Sequence, residues 1–243
     1  MRMIKAMHLT KQLPDGQSVL KDISLRLDQG ELVAVMGASG SGKTMLLKCL
    51  SMQEAWTRGT LWVDGNDMTK KGLLGRLRVR RQFAFIEEKP TLAPNRTALK
   101  NVLVGTRSQT PLWRMLTGMV RNDDYMGAMD MLEKVGLLDK AHMKAAKLSG
   151  GERQRVAVAR ALVHGARALF ADEPVTGLDP HAAEQILADF RTICHTQQVT
   201  MVLVLSHGEW AERFADRIIG LAEGEIAFDI SGRKLTSRER SML

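Results

Sequence analysis

Two short runs near the start of the chain alternate apolar with polar residues: MIKAMHLT from Met3 and ISLRLD from Ile23, separated by the turn-forming LPDGQ. A period of two puts every second side chain on one face, so both runs are predicted strands of a small, partly antiparallel sheet. ELVAVM, residues 31–36, is apolar almost without interruption, as a strand covered on both faces should be. A glycine-rich turn follows it, then a helix through KTMLLKCL, residues 43–50. From about residue 90 to 150 the pattern is helical, notably in DDYMGAMDMLEKVGLL at 123–138. Two further buried strands, ARALFAD (166–172) and VTMVLVLS (199–206), enclose a helix at about 181–197. IIGLAEGEIAFD (218–229) reads as a terminal hairpin turning at Glu223–Gly224. This alternation predicts an α/β core built on a parallel sheet with flanking helices. The expected division is a core that includes an N-terminal antiparallel β-subdomain, formed by 1–87 and 151–243, with a helical subdomain inserted at 88–150. No internal repeat or low-complexity linker interrupts the chain.

Composition narrows the picture only a little. A chain of 243 residues can bury a full core, as one large domain or a domain with a subdomain. The 35 Lys and Arg against 27 Asp and Glu give a formal charge of +8, which suits nucleotides, nucleic acid or an anionic membrane without choosing among them. Trp56, Trp62, Trp113 and Trp210 form no base-stacking array, so no nucleic-acid partner is expected. Cys49 and Cys194 show neither metal-ligand spacing nor a disulfide framework, which fits a reducing cytosol. The N-terminus lacks the apolar core of a signal peptide, and the most apolar stretch, 201–206, is too short to span a bilayer. Any membrane connection is therefore expected to run through a partner.

The chemistry begins at GASGSGKT, residues 37–44, which follows a buried strand and opens a helix. That is the context a phosphate-binding loop requires. Across Gly37, Ala38, Ser39, Gly40, Ser41 and Gly42, backbone N–H groups would turn inward onto the phosphates of ATP, with the positive helix end behind them. Lys43 would add a point charge at the transferring phosphate, and the Thr44 hydroxyl would ligate Mg²⁺. The strand ALFA ends in Asp172 and Glu173. In an open α/β sheet chemistry gathers at strand carboxyl ends, where Asp172 would hold Mg²⁺ and Glu173 would act as the base on the attacking water. His207, at the end of a third apolar strand, is placed to contact the γ-phosphate.

LSGGERQRVAVARAL, residues 148–162, carries a second glycine pair at a helix start. One nucleotide needs one cradle per chain, so Ser149, Gly150 and Gly151 are left without a ligand of their own. Two copies arranged head-to-tail resolve this, each closing its Ser149–Gly151 segment over the ATP held by the other.

The succession GASGSGKT, LSGGERQ, LFADEP, TGLD (176–179) and SH (206–207) spans nearly the whole chain and resembles the ATP-binding cassette (ABC) ATPases, whose P-loop fold it implies. The resemblance places Glu152 with the signature segment at the nucleotide and Asp179 across the dimer interface. It also implies permease subunits that dock on the helical subdomain at the cytoplasmic face of the cell membrane. Within the family, NVLVGTRSQTPLWRMLTGMV (101–120) is most similar to the ATPase subunits of phosphonate importers, which work with an extracytoplasmic solute-binding protein. The same segment also reads as an amphipathic packing element.

Two positions depart from the family pattern. A glutamine that touches Mg²⁺ and the attacking water is replaced by Glu88, with Glu87 beside it, while Gln82 lies six residues too early. The aromatic residue that stacks on adenine is replaced by Leu13. The basic segment KKGLLGRLRVRRQ (70–82) either faces anionic headgroups or is a solvated helix face. The leading expectation is an ATPase that energises import of phosphonate or a related oxyanion. The alternative is an ATPase of a lipoprotein-release, macrolide-export or cell-wall signalling complex. A cassette protein acting on DNA or ribosomes would show two fused cassettes or coiled-coil arms, and the chain has neither.

Overall fold

The computed structural model describes residues 3–106, 122–163 and 165–242. The TPLWRMLTG segment lies outside the described residues. The first alternating run becomes β1 (Met3–Gln12) and the second β2 (Ser18–Asp28), both longer than the sequence suggested and paired antiparallel. With β4 (Arg58–Val63) and β5 (Asn66–Asp67) they form a four-stranded sheet in the order β2-β1-β4-β5.

The larger sheet has six strands. Its members are β3 (Leu32–Met36), β6 (Phe83–Ile86), β7 (Ala168–Ala171), β8 (Thr200–Val204), β9 (Arg217–Ala222) and β10 (Glu225–Ser231). Their order is β10-β9-β3-β8-β7-β6, parallel except for the terminal β9–β10 hairpin, which turns at Glu223–Gly224 as read. The continuous apolar runs divide by parity. Val33, Val35, Phe170, Val202 and Val204 pack against α1 (Lys43–Leu50) and the antiparallel sheet. Leu32, Ala34, Leu169, Ala171, Met201 and Leu203 face the helices on the other side. Both faces are buried, which is why these strands show no alternation in the sequence.

The helical side carries α3 (Ala98–Thr106), α4 (Asn122–Lys134), α5 (Gly150–Val163), α6 (Pro180–Gln197) and α7 (Gly208–Phe214). Before them comes α2 (Leu73–Arg80), and α8 (Ser237–Arg240) closes the chain. The helix expected at 123–138 stops at Lys134 because Gly136 takes a φ of 67°. Leu137 N–H then reaches Leu132 O at 2.8 Å and Gly136 N–H reaches Glu133 O at 2.9 Å, a Schellman cap sealed by the buried Leu132 and Leu137.

Between β6 and α3 the chain is pinned by a buried Asn101. Its Oδ1 accepts from Ala93 N at 2.8 Å, and its amide donates to Thr97 O at 3.0 Å and Ala93 O at 3.2 Å. Asn101→Ala leaves Ala93 N–H without a partner, while Thr97 O and Ala93 O keep the N–H groups of Asn101 and Arg96, and is expected to lower stability by about 1–3 kcal/mol in urea unfolding. A cost below about 0.5 kcal/mol would show that water replaces the side chain there.

Candidate functional site

The parallel strands deliver their carboxyl ends to one edge. Asp172 N–H donates to Ile86 O at 2.9 Å and Leu205 N–H to Val35 O at 3.1 Å, so the residues after β3, β6, β7 and β8 gather there. Residues 37–42 loop from β3 into α1, which starts at Lys43. Gly37 has a φ of 151°, and a Cβ on it would stand 2.2 Å from Leu221 O and 2.6 Å from Ser41 Oγ, so no side chain fits. The loop borders an open cleft of about 610 Å³ lined by Gly37, Ala38, Ser39, Gly40, Gly42, Lys43, Thr44, Glu173 and Ser206. Lys43 Nζ donates to Gly37 O and Ala38 O at 2.8 Å each, folded over the loop whose curvature it braces. Ser41 is buried and its Oγ has no hydrogen-bond partner among the described residues, as expected of a loop shaped for a polar ligand.

Thr44 Oγ1 donates to Asp172 Oδ2 at 2.8 Å. Octahedral coordination at about 2.0–2.1 Å puts neighbouring ligand oxygens roughly 2.9 Å apart, so these two are spaced to share an ion such as Mg²⁺. Burial pushes the Asp172 carboxyl above the usual carboxylate range; the Thr44 hydroxyl opposes the rise and neighbouring Glu173 adds to it. A cation there would supply the charge that this desolvated group lacks. Glu173 follows in the left-handed region, with a φ of 46°, a conformation costly for a residue with a side chain. Its Oε2 accepts from Thr176 Oγ1 at 2.8 Å, which holds the carboxylate at the cleft wall.

The second glycine pair opens α5. Ser149 and Glu152 form a reciprocal capping pair: Glu152 N–H donates to Ser149 Oγ at 3.2 Å, and Ser149 N–H to Glu152 Oε2 at 2.8 Å. Glu152 also pairs with Lys140. Of the three amides in the segment expected to close over the partner's ATP, Ser149 N–H already has a carboxylate. The amides of Gly150 and Gly151 have no acceptor among the described residues. Hydrogen bonding from Lys140, with help from Ser149, holds the Glu152 carboxyl below the usual range against the cost of burial. A depressed folded-state value means this stabilisation is present above the unfolded carboxylate's titration and is lost as pH falls through the folded one. Lys140→Met is expected to raise the pH at which Glu152 titrates, as followed by carboxyl-carbon NMR. An unmoved titration would show that the Ser149 amide alone sets it.

Other expected site residues are scattered. His207 precedes α7 without a capping side-chain hydrogen bond, exposed and edge-on to Trp210 with ring centroids 4.6 Å apart, and its neighbour Ser206 lines the cleft instead. Asp179 caps α6, its carboxylate accepting from Ala182 N–H at 3.0 Å. Glu88 is exposed beyond the end of β6 and does not line the cleft. Glu87 accepts from Thr91 Oγ1 at 3.3 Å and lines a separate hollow beside Arg160. Leu13 is also outside the cleft: Leu13 N–H bonds Gln17 O at 2.9 Å and Gly16 N–H bonds Leu13 O, closing the turn between β1 and β2. Val19, past that turn, lines the cleft in its place. Sequence reasoning missed Val19, Lys48 and Thr176. Lys48 alone left a signal, one helical turn beyond Thr44 on the same face of α1.

Residues 20–176 match the family model described as ABC transporter. The chain is 38% identical to "Phosphonates import ATP-binding protein PhnC" of Lactococcus lactis subsp. cremoris (strain SK11), over 96% of this chain and 95% of that one. Against the protein of the same name from Staphylococcus aureus (strain MRSA252) identity is 35%, over 94% and 89%. Among solved structures, the fold is similar to the dimeric post-hydrolysis state of the ATP-binding cassette MJ0796 bound to ADP and Pi. That likeness has a TM-score of 0.80 at 28% identity, covering 96% of this chain and 100% of the other.

Proposed function

Because this chain belongs to the ABC transporter family and is an ATP-hydrolysing subunit coupled to transport, we propose that it energises import of a phosphonate or a related small oxyanion. Near-full-length similarity at 38% identity to a phosphonates import ATP-binding protein carries the choice of solute. The protein binds ATP. In this reading the loop from Gly37 to Gly42 receives the phosphates, with Lys43 swinging from the Gly37 and Ala38 carbonyls to the γ-phosphate. Thr44 and Asp172 would hold Mg²⁺, which would supply charge neutralisation at the phosphates. Glu173 takes the proton of the attacking water; His207, which stands against Trp210 outside the cleft lining, reaches the γ-phosphate only if its ring turns toward the cleft.

The free amides of Gly150 and Gly151, with the Ser149 hydroxyl, support a head-to-tail homodimer in which each copy completes its partner's site. Anion binding at a helix start needs only such amides and the helix dipole. Asp179, at the start of α6 next to Leu178, which lies beside Gly150, would stand at the same junction. Permease subunits docking on the helical side would hold the dimer at the cytoplasmic face of the membrane; among the described residues no helix is long and apolar enough to cross one. Glu88 reaches Mg²⁺ only if the segment after β6 closes on the cleft, so its carboxylate makes turnover depend on the permease. Glu88→Gln is then expected to raise basal ATPase severalfold and shrink stimulation by the partner; unchanged rates in both states would remove Glu88 from the site.

The test of the solute is ATPase activity of the protein purified with its membrane partners in lipid. Stimulation by a phosphonate-loaded binding protein, and not by the unloaded form, is the expected result. Activity indifferent to any binding protein would instead assign the chain to an extraction or export complex.

A further inference from the structure

The basic segment wears its apolar residues on the outside. In α2, Leu73, Leu74 and Leu77 are 74%, 83% and 40% exposed, and no residue of the helix is buried. At 100° per residue these leucines share one arc, while the half-buried Val79 lies opposite and packs on the core below. Arg76 is committed to structure: its guanidinium donates to Met68 O at 2.7 Å and Thr69 O at 3.0 Å and lies over Trp56. Arg78 and Arg80 flank the leucine arc and Arg81 continues it at the helix end, all three exposed and without an ion-pair partner among the described residues. Residues 68–82 contain no acidic residue. A solvated face would carry its leucines inward; this helix carries leucines and charges outward together.

We infer that α2 docks in the plane of an anionic phospholipid surface, its leucines entering the headgroup–acyl boundary and its arginines meeting the phosphates. Cations flanking an exposed apolar arc are what such a surface selects, and their sign fits it better than an uncharged protein groove. The helix precedes the amino-terminal end of β6, at the opposite end of that strand from the nucleotide cleft, so docking there leaves the cleft free. The inference is independent of the transported solute. Three cations at such a surface favour it over a zwitterionic one by about a hundredfold.

Flotation of the purified full chain with phosphatidylglycerol–phosphatidylcholine vesicles, against pure phosphatidylcholine, tests this. The wild type is expected to bind the anionic vesicles, less so in high salt. Leu73→Ser with Leu74→Ser, and separately Arg78→Gln with Arg80→Gln and Arg81→Gln, should each weaken binding tenfold or more while ATPase activity persists. No vesicle binding, equal binding to both lipids, or variants that bind like the wild type would overturn it. So would lipid-indifferent variants that instead lose capture by the permease subunits, which would make α2 a protein contact.

Discussion

Glu173→Gln is expected to slow ATP hydrolysis by about 10²–10⁴-fold, the usual worth of a positioned base. The substitution keeps the shape of the side chain and an oxygen that can still accept from Thr176 Oγ1, so the left-handed turn at residue 173 should persist. What it removes is the proposed proton acceptor and a carboxylate at the cleft wall. ATP binding should therefore survive or tighten, and ATP-bound dimers should accumulate to be seen by light scattering. Single-turnover hydrolysis measured beside dimerisation separates these effects. Hydrolysis at the normal rate would place the base elsewhere, and loss of both hydrolysis and dimerisation would mean that the turn itself had collapsed.

Gly37→Ala should be more damaging to binding than a change in any exposed part of the loop. Its methyl would meet the Leu221 carbonyl of β9 at 2.2 Å, so either the β3–β9 pairing or the loop must move. Backbone with a φ of 151° is also open essentially to glycine alone. ATP affinity is expected to fall by about a hundredfold or more, with the midpoint of thermal unfolding lowered as well. Gly40→Ala makes the comparison informative, because a Cβ there meets nothing within 4 Å and only a φ of 80° opposes it. It should cost about 1–2 kcal/mol, roughly tenfold in affinity. Equal effects at the two glycines would show that backbone strain, rather than the contact with β9, governs the loop.

The parts of this architecture that could be read from sequence are those where local chemistry and tertiary fate agree. Strands β3, β7 and β8 are buried on both faces and so appear as apolar runs; Gly37–Thr44 and Asp172–Glu173 are fixed by their position directly after such strands. Strands β4 and β6 went unread because RGTLWV and FAFI are short, the two-residue β5 beside β4 is shorter still, and their longer-range partners β1 and β7 lie far away in sequence. The end of α4 depended on one glycine entering the left-handed region, and a helical period cannot reveal that. Alignment put Leu13 at the nucleotide, but a hydrogen-bonded turn sets which residue of the β1–β2 hairpin reaches the cleft, and that residue is Val19. The pairing of Lys140 with Glu152 spans twelve residues and two elements, so it leaves no local trace. The outward leucines of α2 contradict the usual inward pattern, and such contradictions between pattern and burial are where function is best sought.

A site shared between two copies is tested most directly by mixing defective copies. Lys43→Ala removes the cation of the phosphate loop but spares the Ser149–Gly151 segment. Gly151→Asp puts a carboxylate beside the free amides but spares the loop, and the space at Gly151 admits a Cβ 3.5 Å from Ile186. Each variant alone should be inactive in single-turnover hydrolysis. An equal mixture forms heterodimers with one intact composite site, so about a quarter of the wild-type amplitude should return. A mixture as silent as its components, although both variants still dimerise, would contradict the shared site and place all the catalytic groups within one chain.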